Sequence, residues 1–342
     1  MKRLFLPTCL LLLFAILPIF PQEQRFADLG DFILESGDTI RDLKIGYRVF
    51  GTMNADRSNI ILYLTWAGGT TAQLNLKPTD AGKMIDTNKY CVIAVDALSN
   101  GISSSPSNSR HQPRMKFPRY TMRDLVSTQH TFLTKVLKID HVRAVTGVSM
   151  GGMQTFQWMA SYPGFMDKAI PIVGSPQLAA YDVLHWHTQI SAIKNDPFWQ
   201  NGEYVKNPAR EFEYEIGAII LTTPDDYNRR MTREKVFAEI KKAQNETAGF
   251  DANDKIRQTE AMLTLDVTEK FGGSWESAAR SVKAQTLVVV ARLDHTVTPS
   301  TAITFANALK AETLILESDC GHMAPSCESE KVRAAFANFI AK

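Results

Sequence analysis

The sequence predicts an α/β protein, a mostly parallel, eight-stranded, doubly wound sheet interrupted by one long helical insertion. Three observations carry that expectation. Short β-branched apolar runs alternate with helical patterns through most of the chain, the rhythm of parallel strands joined by helical crossovers. Gly147-Val148-Ser149-Met150-Gly151 stands between one such run and one such helix and fits the G-x-S-x-G pattern. An acid, Asp294, and a base, His322, come later in the chain. Each lies just beyond another apolar run, on the edge where open α/β sheets build their sites.

The strands expected, in chain order, are 31–35, 41–50, 59–64, 90–95, 142–146, 169–173, 286–291 and 313–316, the first two antiparallel. Leu287-Val288-Val289-Val290-Ala291 is apolar on both faces, as a central parallel strand must be. Helices are expected at 124–137, 152–161 and 300–310, and a further one at 329–340. Residues 176–276 break this rhythm. They read as several helices carrying Trp186, Trp199, Tyr204, Tyr214, Tyr227 and Trp275, and are taken as a lid inserted after the sixth strand. Most of those aromatics should pack helices together, and a few should line a pocket. The resulting order is a leading segment 1–22, core 23–175, lid 176–276 and core 277–342.

Met1-Lys2-Arg3 precedes an apolar run over 4–20 broken by Pro7 and Pro18. This has the form of a secretory signal, although Phe20-Pro21-Gln22 is a poor cleavage site; an uncleaved N-terminal anchor and an unrelated hydrophobic N-terminus are the alternatives. Export, to a periplasm or the medium, is therefore expected. Lys and Arg total 38 and Asp and Glu 36; without Lys2 and Arg3 the body holds 36 of each. With no basic patch, nucleic acid is not an expected partner. Of four cysteines, Cys9 lies in the leading segment and Cys91 opens an apolar strand as a core thiol. Cys320 and Cys327 bracket His322; in an oxidising compartment they would form a disulfide, and otherwise two free thiols. The His and Cys spacings match no common metal site, and no cofactor is expected.

A sharp turn from strand to helix would push the Ser149 hydroxyl out of the sheet, and a Cβ at the flanking glycines would strike neighbouring backbone. Ser149 is thus the candidate nucleophile, His322 its general base and Asp294 the acid that orients the base. His295 is read as a supporting residue beside Asp294, and His130, His141, His185 and His187 fit the role of base less well. Oxyanion donors are expected from the backbone of Met150, the residue after the nucleophile, and of Trp66, in the loop after the third strand.

These segments together resemble the α/β-hydrolase fold and, more narrowly, the homoserine O-acetyltransferase family. The resemblance rests on Leu62 to Gly69, Asp96 to Ser107, Phe117-Pro118 with Thr121 to Val126, Gly147 to Gln154, and Asp196-Pro197-Phe198-Trp199 with Gly202 and Tyr204. It implies acyl transfer through an acyl-enzyme, and a symmetric dimer through the lid. Two departures stand out. Where that family carries an aspartate for the substrate ammonium, this chain has Met323; where it carries an arginine for the substrate carboxylate, Glu213-Tyr214 precedes Ile216-Gly217. Burying an amino acid's two charges without partners costs several kcal/mol. The leading expectation is therefore an exported serine hydrolase acting on a small acyl ester. The alternatives are a transferase using acetyl-CoA, a cofactor an exported protein seldom meets, and a non-catalytic binding protein on the same fold.

Overall fold

The computed structural model describes residues 23–74, 76, 82–208 and 211–342. The leading segment 1–22, with its expected signal or anchor, lies outside them. Eight strands form one sheet: β1 (Arg25–Ile33), β2 (Thr39–Phe50), β3 (Ile60–Leu64), β4 (Cys91–Val95), β5 (Val142–Val148), β6 (Met166–Ile172), β7 (Gln285–Ala291) and β8 (Glu312–Leu316). Their order across the sheet is β1-β2-β4-β3-β5-β6-β7-β8. β1 pairs antiparallel with β2, and β2 with β4; from β4 to β8 every pairing is parallel.

The inner strands β3, β4 and β7 are buried on both faces, which is why they read as unbroken apolar runs. β1 corrects the expected span of 31–35. It starts at Arg25 and keeps its pairing with β2 across irregularities at Asp28 and Gly30. A partner strand supplied what the polar, glycine-interrupted local sequence did not advertise.

Helices cover both faces. α1 (Met122–Thr131) starts two residues before the expected 124, because Thr121 caps it: the Thr121 hydroxyl accepts from Asp124 N–H, and the Asp124 carboxylate accepts from Thr121 N–H. Its expected continuation to 137 is a π-helical turn over Phe132–Val136. α2 (Met150–Ser161) also starts two residues early, directly after Ser149. Between β6 and β7 come α3 (Ala180–Asn195), α4 (Glu211–Ile220), α5 (Pro224–Arg230), α6 (Arg233–Asn245), α7 (Ala252–Leu263) and α8 (Trp275–Ser281). α8 straddles the expected end of the insertion at 276, and its Trp275 packs on Phe305 of α9 (Ser300–Leu309), so it sits with the core. α10 (Ala324–Cys327) and α11 (Ser329–Ala341) complete the layers. Among the described residues, no helix is long and apolar enough to cross a membrane.

Candidate active site

β5 runs straight into Ser149, which adopts φ 59° and ψ −121° before α2 begins. Side chains with a Cβ seldom enter that region, and such strain gathers at functional sites. The turn is held by Ser149 N–H donating to the Ile172 carbonyl at 2.9 Å. Its glycines are sterically required. A Cβ on Gly151 would lie 2.2 Å from the Leu64 carbonyl oxygen, and one on Gly147 would lie 2.6 Å from the same atom. The turn can therefore be this tight only because β3 and α2 approach across bare backbone.

The three expected side chains meet, although they come from the ends of β5, β7 and β8. His322 Nε2 is 2.9 Å from Ser149 Oγ, and His322 Nδ1 is 2.7 Å from Asp294 Oδ2. Asp294 and His322 are buried, at 2% and 7% exposure, so little water competes for the pair. The other oxygen of Asp294 accepts from the backbone N–H groups of Thr296 and Val297, at 2.8 and 2.9 Å. His295 is not among the partners of Asp294, which corrects its expected supporting role. Backbone donors of the next two residues hold the carboxylate instead.

Behind Asp294 sits a second buried carboxylate, which the sequence reading missed. Asp182, in the first turn of α3, accepts from Thr298 N–H at 3.1 Å. Burial, with the charge of Asp294 adding to it, pushes its pKa up to about 6. His185, one turn further along α3, meets the Thr296 carbonyl through Nε2 at 2.7 Å, and burial lowers its pKa. Both ties fasten the insertion to the loop that carries Asp294.

The loop carrying His322 is braced twice. Cys320 and Cys327 are joined as a disulfide, while Cys91 is a buried free thiol. From α5, Arg229 donates to both oxygens of Asp319, at 2.6 and 2.9 Å, and the Thr223 hydroxyl donates to the Asp319 carbonyl at 2.6 Å. Asp226, Asp319 and Cys320 cluster there. With the Cys320 sulfur in the disulfide and Arg229 bridging the two carboxylates, the cluster's charges are already answered.

Ser149 and His322 open into a cavity of about 640 Å³. Its wall is largely apolar, with Trp66, Val148, Ile172, Trp186, Leu221 and Phe250 among its residues. Met323 also lines it, as does Glu213, whose carboxylate stands 4.0 Å from the Lys255 ammonium on the same wall. Burial lowers the pKa of Lys255. Of the insertion's aromatics singled out in the sequence, Trp186 lines this cavity; Tyr214 and Tyr227 share a hydroxyl contact of 3.0 Å in an adjoining groove that shares Glu213, Gly217, Leu221 and Met323 with it, and Trp199 bonds Asn253.

Trp66 N–H donates to no described residue, and Met150, as the first residue of α2, has no carbonyl one helical turn back to bond. Gly68 N–H, by contrast, is taken by Gln258 Oε1 at 2.8 Å, which pins the loop after β3 to α7. Gly69 lies under the Trp66 ring, where a Cβ would come within 2.5 Å of it.

A fold of this topology, with a strained serine at a strand–helix turn and an imidazole and carboxylate in line, defines a class. The chain belongs to the α/β-hydrolase fold family, whose model matches residues 65–326. It is similar to the ethyl acetate hydrolase of Pseudomonas veronii, at 32% identity over 275 residues, which span 77% of this chain and 78% of the relative. It is also similar to the homoserine O-acetyltransferase of Methanohalophilus mahii, at 31% identity over 272 residues, which span 70% of this chain and 55% of the relative. Among solved structures, the acetyl esterase MekB superposes with a TM-score of 0.84 at 26% identity, covering 94% of this chain and 97% of that one. The protein is accordingly an enzyme of the serine hydrolase or acyltransferase kind.

Proposed function

We propose that the protein is an exported serine esterase that cleaves small carboxylic esters through an acyl-enzyme. The observation that carries this reading is the hydrogen-bonded line Asp294–His322–Ser149 at the floor of an apolar cavity. Ser149 Oγ attacks the acyl carbonyl carbon as His322 Nε2 takes its proton. Asp294 fixes the imidazole tautomer and stabilises the imidazolium. The N–H groups of Met150 and Trp66 receive the negative charge that develops on the carbonyl oxygen. The intermediate collapses, the alcohol leaves with the proton held by His322, and a water repeats the sequence to release the acid.

Hydrolysis is favoured over transfer to homoserine by Met323 and by Glu213-Tyr214, which by the family resemblance stand where the acetyltransferases carry their charge partners. It is also favoured by the similarity to an ethyl acetate hydrolase. One observation favours the second reading, acyl transfer to a zwitterionic acceptor: Lys255 and Glu213 place one charge of each sign in the cavity wall. Export is supported by the basic and apolar leading residues and by the disulfide, since such bonds persist in oxidising compartments.

The test is p-nitrophenyl acetate and butyrate release by the purified protein beside Ser149→Ala, repeated with acetyl-CoA and homoserine while free CoA and acetylhomoserine are followed. Ser149-dependent release without acetylhomoserine is the expected result. Acetylhomoserine formed faster than acetate would establish the transferase instead, and a Ser149→Ala variant as active as the parent would sink both.

A further inference from the structure

We infer that Gln154 is a positioning residue for the oxyanion-binding backbone, and that Gln129 and Trp158 buttress it. The inference rests on the serine-esterase reading and concerns how its two backbone donors are held in place. The observation is a line of four buried hydrogen-bonding groups that crosses from α2 to the loop after β3. Trp158 Nε1 donates to Gln129 Oε1 at 2.9 Å, Gln129 Nε2 donates to Gln154 Oε1 at 2.6 Å, and Gln154 Nε2 donates to the Thr65 carbonyl at 3.0 Å. The same Gln154 nitrogen reaches the Met150 carbonyl at 3.1 Å. Every residue in the line is at most 1% exposed.

Its polarity follows from chemistry. An indole N–H can only donate, so Trp158 must face an oxygen, which fixes the amide of Gln129. The Gln129 nitrogen then faces the Gln154 oxygen, and the Gln154 nitrogen is left toward Thr65 and Met150. The Thr65 and Met150 carbonyls, which only accept, require that same orientation, so Trp158 and Gln129 reinforce from one end what the carbonyls fix at the other.

The consequence reaches the cavity through one peptide bond. In a trans peptide the N–H of the following residue points opposite to the carbonyl. Gln154 draws the Thr65 carbonyl toward α2, while the Thr65 hydroxyl is held by Ala97 N–H at 3.2 Å. The Trp66 N–H of that peptide is therefore turned away from Gln154, on a residue that lines the cavity. The same nitrogen also meets the Met150 carbonyl, so one NH₂ group ties the loop carrying the Trp66 donor to the helical turn that starts at Met150. Oxyanion stabilisation depends on such donors being fixed before charge develops.

The test compares Gln154→Leu, which removes the amide, with Trp158→Phe, which keeps the Gln154 amide but removes the donor that buttresses it through Gln129. Each is measured for kcat and KM on p-nitrophenyl butyrate and for inhibition by a trifluoromethyl ketone, whose adduct on Ser149 carries the oxyanion. Removing one oxyanion donor outright costs about 100- to 1000-fold in kcat, so misorienting one is expected to cost about 10- to 100-fold. Trifluoroketone affinity should fall by the same factor while KM stays within about threefold of the parent, with the smaller fall in Trp158→Phe. Thr155→Val controls for packing damage: Thr155 is buried on the same helix, its hydroxyl donates to the Gly151 carbonyl, and it should show no such split. Folded variants whose kcat and trifluoroketone affinity match the parent, or whose loss appears in KM, would overturn the inference. Should Gln154→Leu fail to fold, Gln154→Met, which keeps the length of the side chain and removes its donor, decides by the same comparison. Ser149→Ala, run alongside, separates the two failures: an active Ser149→Ala removes the esterase reading, whereas an inactive one beside unaffected Gln154 and Trp158 variants removes this inference alone.

Discussion

Replacing Asp294 by asparagine should disable the enzyme through a tautomer, and the surroundings of Asp294 say why. Oδ1 accepts two backbone N–H bonds, from Thr296 and Val297, so the position it occupies must stay an oxygen. The amide nitrogen that Asp294→Asn introduces is then forced into the place of Oδ2, 2.7 Å from His322 Nδ1. An NH₂ group there requires a lone pair on Nδ1, which puts the imidazole proton on Nε2, facing Ser149 Oγ at 2.9 Å. A protonated Nε2 cannot accept the serine proton. Losing the correct tautomer in a triad lowers kcat by about 10⁴-fold, which is about 5 kcal/mol in the barrier. Stability should change far less, because volume and both backbone bonds are kept. The assay is p-nitrophenyl acetate release at neutral pH with Ser149→Ala as the floor, together with the thermal midpoint. An Asp294→Asn variant within about tenfold of the parent would refute the reasoning, because the imidazole would then have kept its tautomer without the carboxylate.

Two further outcomes follow from the same geometry. Cys327→Ser opens a loop with a sequence separation of 7, and loop entropy puts the lost stability at about 2.5 kcal/mol. Urea denaturation of the parent with and without reductant should reproduce that difference, and the variant should no longer respond to reductant. Asp254 is buried where it accepts from Ser107, and burial, with Asp251 adding to it, pushes its pKa up to about 7. A carboxyl raised on folding stabilises the protein fully only below its unfolded pKa, and the contribution is lost as pH rises through about 7. Relative to Asp254→Asn, the parent should therefore lose roughly 2–3 kcal/mol between about pH 5 and pH 8; equal pH slopes in denaturation would contradict this.

The sheet and the line of Ser149, His322 and Asp294 were legible because their signals are local. A glycine-flanked serine between an apolar strand and a helix has a steric reason for each residue, and an acid or base just past a strand end falls on one edge of a parallel sheet. What stayed hidden was non-local. β1 exists through its pairing with β2, which no window over Arg25 to Gly30 displays. The Gln154 bond to Thr65 spans 89 residues, and the Asp182 bond to Thr298 spans 116. His295 drew attention by standing next to Asp294 in sequence, yet the carboxylate is held by the backbone of Thr296 and Val297. The break in the strand–helix rhythm over residues 176–276 marked the insertion as foreign to the sheet, but only packing on α9 shows that α8 sits with the core.

The strand order has a consequence for timing. β1 to β6 form a contiguous block of the sheet, and β7 and β8 add to its edge one after the other. Ser149 sits in the earlier block, whereas Asp294 and His322 follow β7 and β8. During synthesis the serine can reach its final backbone conformation while still an ordinary alcohol, without a base to activate it. The imidazole and carboxylate arrive only with the last two strands, so a chain interrupted before β7 would carry the turn with neither group beside it.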